Sequence, residues 1–113
     1  MKSILTTYKS GTKFWELYNG ELHREDGPAA EYPNGDKEWW INGKCHREDG
    51  PAIECKNGDK TWWINGKRHR EDGPAYEGTN GVKWWYLNGI EYTEQQHKYQ
   101  MRGKKLKKIL HEK

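Results

Sequence analysis

Short runs of aromatic and branched aliphatic residues alternate with polar turns along most of the chain. Three of these runs have the sequences KEWWI, KTWWI and KWWYL, at residues 37–41, 60–64 and 83–87. Asn-Gly pairs flank the runs on both sides, at 34–35, 42–43, 57–58, 65–66, 80–81 and 88–89. Because both residues of an Asn-Gly pair accept the positive φ angles of a tight hairpin turn, the pattern predicts β-hairpins.

The hairpins repeat with a period of 23 residues, as three copies of the sequence HREDGPA show at 23–29, 46–52 and 69–75. We expect each unit to contain a strand such as Ala52–Lys56, a turn such as Asn57-Gly58, a second strand such as Lys60–Ile64 and a return from Asn65 to Pro74. The predicted fold is therefore mainly β, an elongated antiparallel meander of tandem 23-residue β-hairpin repeats.

Two further details concern the strands. Proline cannot donate a hydrogen bond to a sheet, so Pro28, Pro51 and Pro74 are predicted to mark strand starts. The first copy, from Lys13 to Tyr18, has one extra residue, which predicts a β-bulge.

A two-residue turn at Asn34-Gly35 would place Glu31 opposite Glu38 and Ala29 opposite Trp40. Since side chains alternate between the two faces of a strand, this register assigns each residue to a face. The predicted core face carries Ala30, Ile53, Tyr76, Trp39, Trp62, Trp85, Ile41, Ile64 and Leu87. The predicted outer face carries Glu31, Glu54, Glu77, Trp40, Trp63 and Tyr86, with Glu38, Thr61 and Trp84 beside them.

The repeat ends at Tyr92, and a helix is predicted to follow. Residues 93–96 have the sequence TEQQ, in which Thr93 caps the helix and Gln96 reaches back to it. Residues 1–92 are thus predicted as the repeat domain, and 93–113 as a basic helix packed on the repeats or extending from them. Its incomplete apolar stripe, interrupted by Gly103, comprises Tyr99, Leu106, Ile109 and Leu110. Capping the open end of the repeats is the expected role; nucleic-acid contact and a mobile tail are the alternatives.

The composition is unusual for a folded domain, since 32% of residues are apolar, 33% are charged and the mean hydropathy is −1.34. Seven Trp and seven Tyr still predict folding, because each large ring can anchor a thin core. Residues 93–113 hold seven basic and two acidic side chains, so residues 1–92 carry 13 and 15. Any affinity for nucleic acid is therefore expected in the tail, at Lys104, Lys105, Lys107 and Lys108.

The two cysteines, Cys45 and Cys55, replace unrelated residues in the other copies, so the repeat does not require sulfur. We expect free thiols in a reducing cytoplasm. The first seven residues lack the apolar run of a signal peptide, and nothing approaches the length of a membrane span, which also favours the cytoplasm.

The units resemble a variant of the MORN repeat, which has an aromatic strand, an Asn-Gly turn and a second glycine-centred turn at a period near 23. The likeness covers residues 13–92. The form with HREDGPA is also similar to small proteins of large bacteriophages and giant viruses. Both resemblances imply an elongated antiparallel sheet used for binding, and neither implies catalytic residues. His23, His46 and His69 depart from the glycine-rich return loop of the family.

The three HREDGPA segments each bring together a base, a cation and two carboxylates. Three near-identical copies argue against catalysis, which needs neighbouring groups tuned apart. No Ser or Cys recurs beside the histidines, and no compact metal-ligand spacing is present. We expect a structural ladder, in which Asp26, Asp49 and Asp72 cap backbone donors while His and Arg pair with carboxylates of the next loop. Ligand contact, catalysis and metal binding are the alternatives.

The remaining hypothesis concerns the outer face, where indole rings could stack on a flat ligand and arginines could hold phosphate. The predicted ligand-binding residues are Trp40, Trp63, Tyr86, Trp84, Arg47, Arg70, His46 and His69. We hypothesise a non-enzymatic, cofactor-free binding protein of phage type that sequesters a host nucleotide signal or a host defence protein. Open sheet edges favour a homo-oligomer. Nucleic-acid binding through the tail is the alternative function.

Overall fold

The computed structural model describes residues 2–111. These residues form thirteen short strands and one helix, with the bounds β1 Ile4–Thr7, β2 Lys13–Glu16, β3 Ala30–Glu31, β4 Lys37–Glu38, β5 Trp40–Ile41, β6 Lys44–Cys45, β7 Ile53–Glu54, β8 Lys60–Thr61, β9 Trp63–Ile64, β10 Lys67–Arg68, β11 Tyr76–Glu77, β12 Lys83–Leu87, β13 Ile90–Tyr92 and α1 Glu94–His111.

Nine of the strands form one antiparallel sheet in the order β1-β2-β3-β4-β7-β8-β11-β12-β13. The remaining strands form two small hairpins, β5 with β6 and β9 with β10, which continue from β4 and β8. The chain measures 53 × 37 × 19 Å, so the repeats build a thin, elongated slab. The predicted mainly β fold of antiparallel hairpins with a C-terminal helix is confirmed.

The two sets of Asn-Gly pairs form different turns. In the pair Asn42-Gly43 both residues have positive φ, 50° and 76°, and the turn has two residues because Ile41 pairs with Lys44. In the pair Asn34-Gly35 only the glycine has positive φ, 100°, and the Tyr32 N–H donates to the carbonyl of Asp36 across a three-residue loop. The asparagine side chain stabilises this loop by accepting the N–H of Asp36.

The longer loop shifts the register by one residue, and the predicted register is wrong. Ala30 pairs with Glu38, and Glu31 pairs with Lys37. Because a shift of one residue moves every side chain of a strand to the other face, the predicted faces are wrong for strands β3, β7 and β11, whose side chains lie with the opposite set of aromatic residues. Residues such as Ala30, Ile53 and Tyr76 share a face with Glu38, Thr61, Trp84 and Trp40; Trp39 and Trp62 share the opposite face with Glu31, Glu54 and Glu77.

The corrected register places opposite charges side by side across the sheet. One row runs over seven strands through Lys13, Glu31, Lys37, Glu54, Lys60, Glu77 and Lys83. Cross-strand pairs of opposite charge favour one register over its neighbours, which would bring like charges together. The row therefore helps to fix how successive repeats align.

The core consists of small side chains and not of the predicted tryptophans. Ala29, Ala30, Ala52 and Ala75 are completely buried, and Leu17 and Cys45 are buried beside them. Trp39 and Trp62 are half-buried, because a slab this thin cannot enclose an indole on every side. Close approach of neighbouring strands at the alanines replaces a large apolar core.

The extra residue of the first copy lies in a turn and not in a bulge. Leu17 N–H donates to Glu21 O, so Tyr18, Asn19 and Gly20 form a three-residue loop where the later copies have two residues. The N–H of Gly20 consequently bonds within its own turn, to Leu17 O. The matching N–H of Gly43 instead donates to Leu22 O of the preceding repeat. The first turn thus satisfies its own donor at the end of the ladder.

The helix begins at the predicted capping box, since Thr93 N–H donates to Gln96 Oε1 and Gln96 N–H donates to Thr93 Oγ1. It docks through His97, which is 4% exposed, and the helix continues through Gly103. The predicted apolar stripe is not the docked face: its four members Tyr99, Leu106, Ile109 and Leu110 are exposed. No helix of residues 2–111 is both long and apolar enough to cross a membrane.

Cys45 and Cys55 are free thiols in the structure, as predicted. Burial raises the pKa of Cys45 to about 12 and also raises that of Cys55, which is partly exposed. Because the thiolate is the reactive form, we expect iodoacetamide at pH 8 to modify Cys55 slowly and Cys45 only after unfolding in urea. Mass spectrometry of the labelled peptides checks this order. Equal labelling of both thiols in the folded chain would contradict the burial of Cys45.

Candidate functional site

Each HREDGPA segment is organised around its arginine, which we call the arginine clamp. The guanidinium of Arg47 lies 3.9 Å from the centre of the Trp39 ring. Its Nε donates to Asp49 at 3.0 Å, and its Nη1 donates to the carbonyl of Pro51 at 3.0 Å and to Glu54 at 2.8 Å. Stacking and charge-assisted hydrogen bonds thus hold one side chain on both its face and its edge.

The clamp is present three times, with Arg24 over Trp15 and Arg70 over Trp62 at the same 3.9 Å. The glycine of the segment allows the guanidinium to lie close over the backbone: a Cβ on Gly50 would stand 3.1 Å from Arg47 Cζ, so the guanidinium would have to shift. We call the surface that bears Trp15, Trp39, Trp62 and these arginines the clamp face.

The histidine of each segment joins it to the next repeat. The backbone N–H of Asn65 donates to His46 Nδ1 at 3.0 Å, and Asn42 and Asn88 donate equally to His23 and His69. Because a backbone N–H can only donate, Nδ1 is the unprotonated nitrogen and the proton lies on Nε2. Nε2 faces a glutamate two residues further on, at 3.5, 3.9 and 3.3 Å for His23, His46 and His69.

The ladder between repeats is therefore real, but the predicted partners are wrong. Each histidine faces the glutamate of its own HREDGPA segment, and each arginine binds the aspartate of its own segment, Asp26, Asp49 or Asp72, and a glutamate of the strand that follows. Two other aspartates cap backbone donors: Asp36 accepts from the N–H of Lys56, and Asp59 accepts from the N–H of Thr79. The second hydrogen bond lowers the pKa of Asp59. The sequence signal for the clamp was the recurrence of Asp two residues, and Glu seven residues, after each arginine.

The predicted ligand-binding residues consequently divide between two surfaces. Arg47, Arg70, His46 and His69 belong to the clamp face, and the structure does not bring them to the predicted aromatic residues. Trp40, Trp63, Trp84 and Tyr86 do lie together on the opposite surface, which we call the aromatic face and which extends along the sheet to Phe14, Tyr32 and Tyr76. Trp84 stacks on Tyr76 with ring centres 4.6 Å apart.

Arg68 lies between two rings of the aromatic face. Its Cζ lies 5.3 Å from the Trp63 ring and 5.4 Å from the Tyr86 ring, and its Nη1 is 3.4 Å from the Tyr86 hydroxyl. The buried atoms Arg68 Nε and Trp63 Nε1 have no hydrogen-bond partner among the described residues. Arg68 interrupts the repeat, since Leu22 and Cys45 hold the same place; the sequence made it a candidate for phosphate contact by its chemistry and not by its position in the repeat.

The neighbouring repeat shows why the Trp63 donor is unsatisfied. Trp40 donates from Nε1 to the Glu38 carboxylate at 3.0 Å, whereas Thr61 stands in the position equivalent to Glu38. We therefore expect Thr61→Glu to stabilise the chain by about 1–2 kcal/mol, because the new carboxylate can accept from Trp63 and pair with Arg68. Urea denaturation measures this change. Thr61→Leu is the matched control without an acceptor, and an equal gain from both variants would contradict the explanation.

Two grooves cross the clamp face between successive HREDGPA segments. The first lies between residues 24–27 and 46–49 over Trp39 and Ile41, with a volume of about 760 Å³. The second lies between residues 47–51 and 69–72 over Trp62 and Ile64, with a volume of about 810 Å³. A third groove lies over Trp85. Residues of the third HREDGPA segment form one of its walls, and helix α1 forms the other wall, in the position that a fourth segment would occupy.

The tail lysines are not equivalent. The Lys104 ammonium binds the Glu71 carboxylate, and this bond lowers the pKa of Glu71. Lys105, Lys107 and Lys108 are exposed along the helix. Among residues 2–111 no three His, Cys, Asp or Glu side chains come together as a metal site.

Comparison of the chain with models of protein families, with characterised proteins and with solved structures finds no match.

Proposed function

We propose that the chain is a non-enzymatic binding protein that holds its partner on the aromatic face. The observation that carries this proposal is a row of half-exposed aromatic side chains, two of which contact Arg68, on a slab whose helix packs against the other surface. The most exposed tryptophan of this face that is described, Trp84, has 42% of its surface exposed. Tryptophan, tyrosine and arginine dominate the energetics of protein interfaces, because they bury a large area with few rotatable bonds.

A protein partner fits the geometry better than a nucleotide held by Arg47 and Arg70. Those two guanidinium groups are already stacked and hydrogen-bonded within the clamp. A nucleotide-type signalling molecule would instead have to use Arg68 and the rings beside it. We therefore favour a protein, and retain the nucleotide as the second form of the same proposal.

The resemblance to small proteins of bacteriophages and giant viruses supports a biological setting for such binding. In this proposal the chain acts in the cytoplasm of an infected host as a counter-defence factor. It would inactivate a host defence protein by stoichiometric sequestration, which requires affinity and not turnover. The open edge strand β1 supports the accompanying proposal that the chain forms a homo-oligomer.

The test compares three forms of the immobilised chain in a bacterial lysate. We expect the wild type and Tyr18→Ala, a change at a fully exposed turn residue, to retain the same partner at stoichiometric amounts. Trp84→Ala should weaken retention by about thirtyfold, the loss of a typical interface hot spot. Retention that is equal in all three forms, or no retention, overturns the proposal.

The same samples distinguish the other candidates. A nucleotide released by heat and identified by mass spectrometry, and lost with Arg68→Ala, would select the nucleotide form. Retention of nucleic acid that falls with salt would select the tail, where exposed Lys105, Lys107 and Lys108 favour phosphate contact.

A further inference from the structure

We propose that the two grooves of the clamp face bind a lysine- and arginine-rich segment of a partner protein. This inference does not rest on the proposed function, because the grooves lie on the surface opposite the aromatic face. It follows from the chemistry of the groove walls and from the way in which the chain binds its own helix.

The floor and the walls of each groove have different chemistry. An indole and an isoleucine form the floor, Trp39 with Ile41 in the first groove. Carboxylates crowd the walls, and Glu48 and Asp49, which line both grooves, are 84% and 87% exposed. A lysine or arginine side chain matches this arrangement, since its apolar stem can cover the floor while its charged end meets the carboxylates.

The arginines of the clamp do not cancel this acidity. Each guanidinium is held by an aspartate and by a glutamate of the sheet, as Arg47 is by Asp49 and Glu54. Each HREDGPA segment therefore adds one further acidic side chain, the glutamate at its third position. In the second segment this residue is Glu48, whose carboxylate faces the neutral His46 ring with Nε2 at 3.9 Å.

Helix α1 of the chain itself shows what kind of group an HREDGPA segment binds. In the third HREDGPA segment the matching glutamate is Glu71, and it binds Lys104 of helix α1. Beside it, His97 Nε2 donates to the carbonyl of Arg70 at 2.7 Å. Met101 of the same helix lies near Trp85, which is the counterpart of Trp39 and Trp62. A basic helix with one apolar residue thus fits this surface at the end of the ladder.

The second HREDGPA segment offers the same groups without that helix. Glu48 corresponds to Glu71, and the carbonyl oxygen of Arg47 corresponds to that of Arg70. Within residues 2–111, no hydrogen-bond donor reaches the Arg47 carbonyl. In each copy of the chain, helix α1 is already bound to the third segment of that copy, so a second copy cannot supply its helix to these grooves. The occupant is therefore a basic segment of another protein.

The experiment uses a synthetic peptide with the sequence of residues 94–111 as the probe. It is titrated into the ¹⁵N-labelled full chain while the indole N–H signals of the tryptophans are followed by NMR. We expect saturable shifts of Trp39 and Trp62, and little change at Trp85, because the tethered helix outcompetes the free peptide there. A peptide with glutamine at each lysine and arginine should bind at least tenfold more weakly.

Two matched variants test the site. Glu48→Lys reverses a charge that faces both grooves and should weaken peptide binding at least tenfold. Glu91→Lys makes the same change at the exposed end of the sheet and should leave binding within twofold of the wild type. The inference is overturned by absence of binding, by shifts confined to Trp85, by equal binding of the glutamine peptide, or by an affinity that Glu48→Lys does not change. Loss of binding in Trp84→Ala would place the peptide on the aromatic face and also overturn it.

Discussion

Arg47→Ala is expected to lower the free energy of unfolding by about 3 kcal/mol. The variant removes the guanidinium stacked on Trp39, the charged hydrogen bond to half-buried Glu54 and the hydrogen bond to the carbonyl of Pro51. Each of these losses costs about 1 kcal/mol at a partly exposed site. The bond to Asp49 adds little, because that carboxylate is in water. In a chain of this size the midpoint of thermal unfolding should fall by more than about 10 °C.

Two variants show whether the clamp causes this effect. Arg47→Lys keeps the charge but neither the planar stacking nor the paired hydrogen bonds, so it should recover less than half of the loss. Lys9→Ala removes a cation from an exposed turn and should change stability by less than about 0.5 kcal/mol. If Arg47→Ala were as stable as Lys9→Ala, the clamp would be only a surface contact.

His46→Phe is expected to lower the free energy of unfolding by about 1 kcal/mol, because it keeps a ring of similar size but leaves the exposed N–H of Asn65 with only water as an acceptor. His46→Asn provides the matched rescue, since its Oδ1 can occupy the position of Nδ1 and accept the same hydrogen bond. Urea denaturation gives the two stabilities. Hydrogen exchange of the Asn65 amide gives a local measurement, in which exchange should accelerate in the phenylalanine variant and stay slow in the asparagine variant. Equal destabilisation by both variants would show that the ring and not the acceptor is required.

The sequence predicted the repeat, the antiparallel hairpins and the capped helix, because each depends on local patterns. Thr93 and Gln96 satisfy each other's backbone donors within four residues, so the capping box was readable without tertiary information. The register was not readable. Asn34-Gly35 and Asn42-Gly43 are the same dipeptide, yet His23 of the preceding repeat binds the N–H of Asn42 and helps to select the tighter turn.

The candidate site was predicted in part for the same reason. Trp40, Trp63, Trp84 and Tyr86 were expected on one surface, and they share one. Arg47 and His46 were grouped with these rings on their chemistry alone, because the return segment that carries them has no alternating pattern from which a face can be assigned. Their actual partners, Glu54 and the N–H of Asn65, lie in the sheet and in the following repeat. Contacts between repeats decide which side chains remain available, and periodicity does not reveal them.

The turn around Tyr18 and helix α1 close the two ends of the row of repeats. The number of binding sites per chain can therefore change by adding units between them. An additional 23-residue unit inserted between them would find the donors and acceptors it needs on both neighbours, because every internal unit presents the same ones. Each insertion would add one groove and one set of outward-facing rings while both ends stay as they are. Changes in gene length by whole units would then alter how many partners one chain can hold, without requiring a new recognition surface.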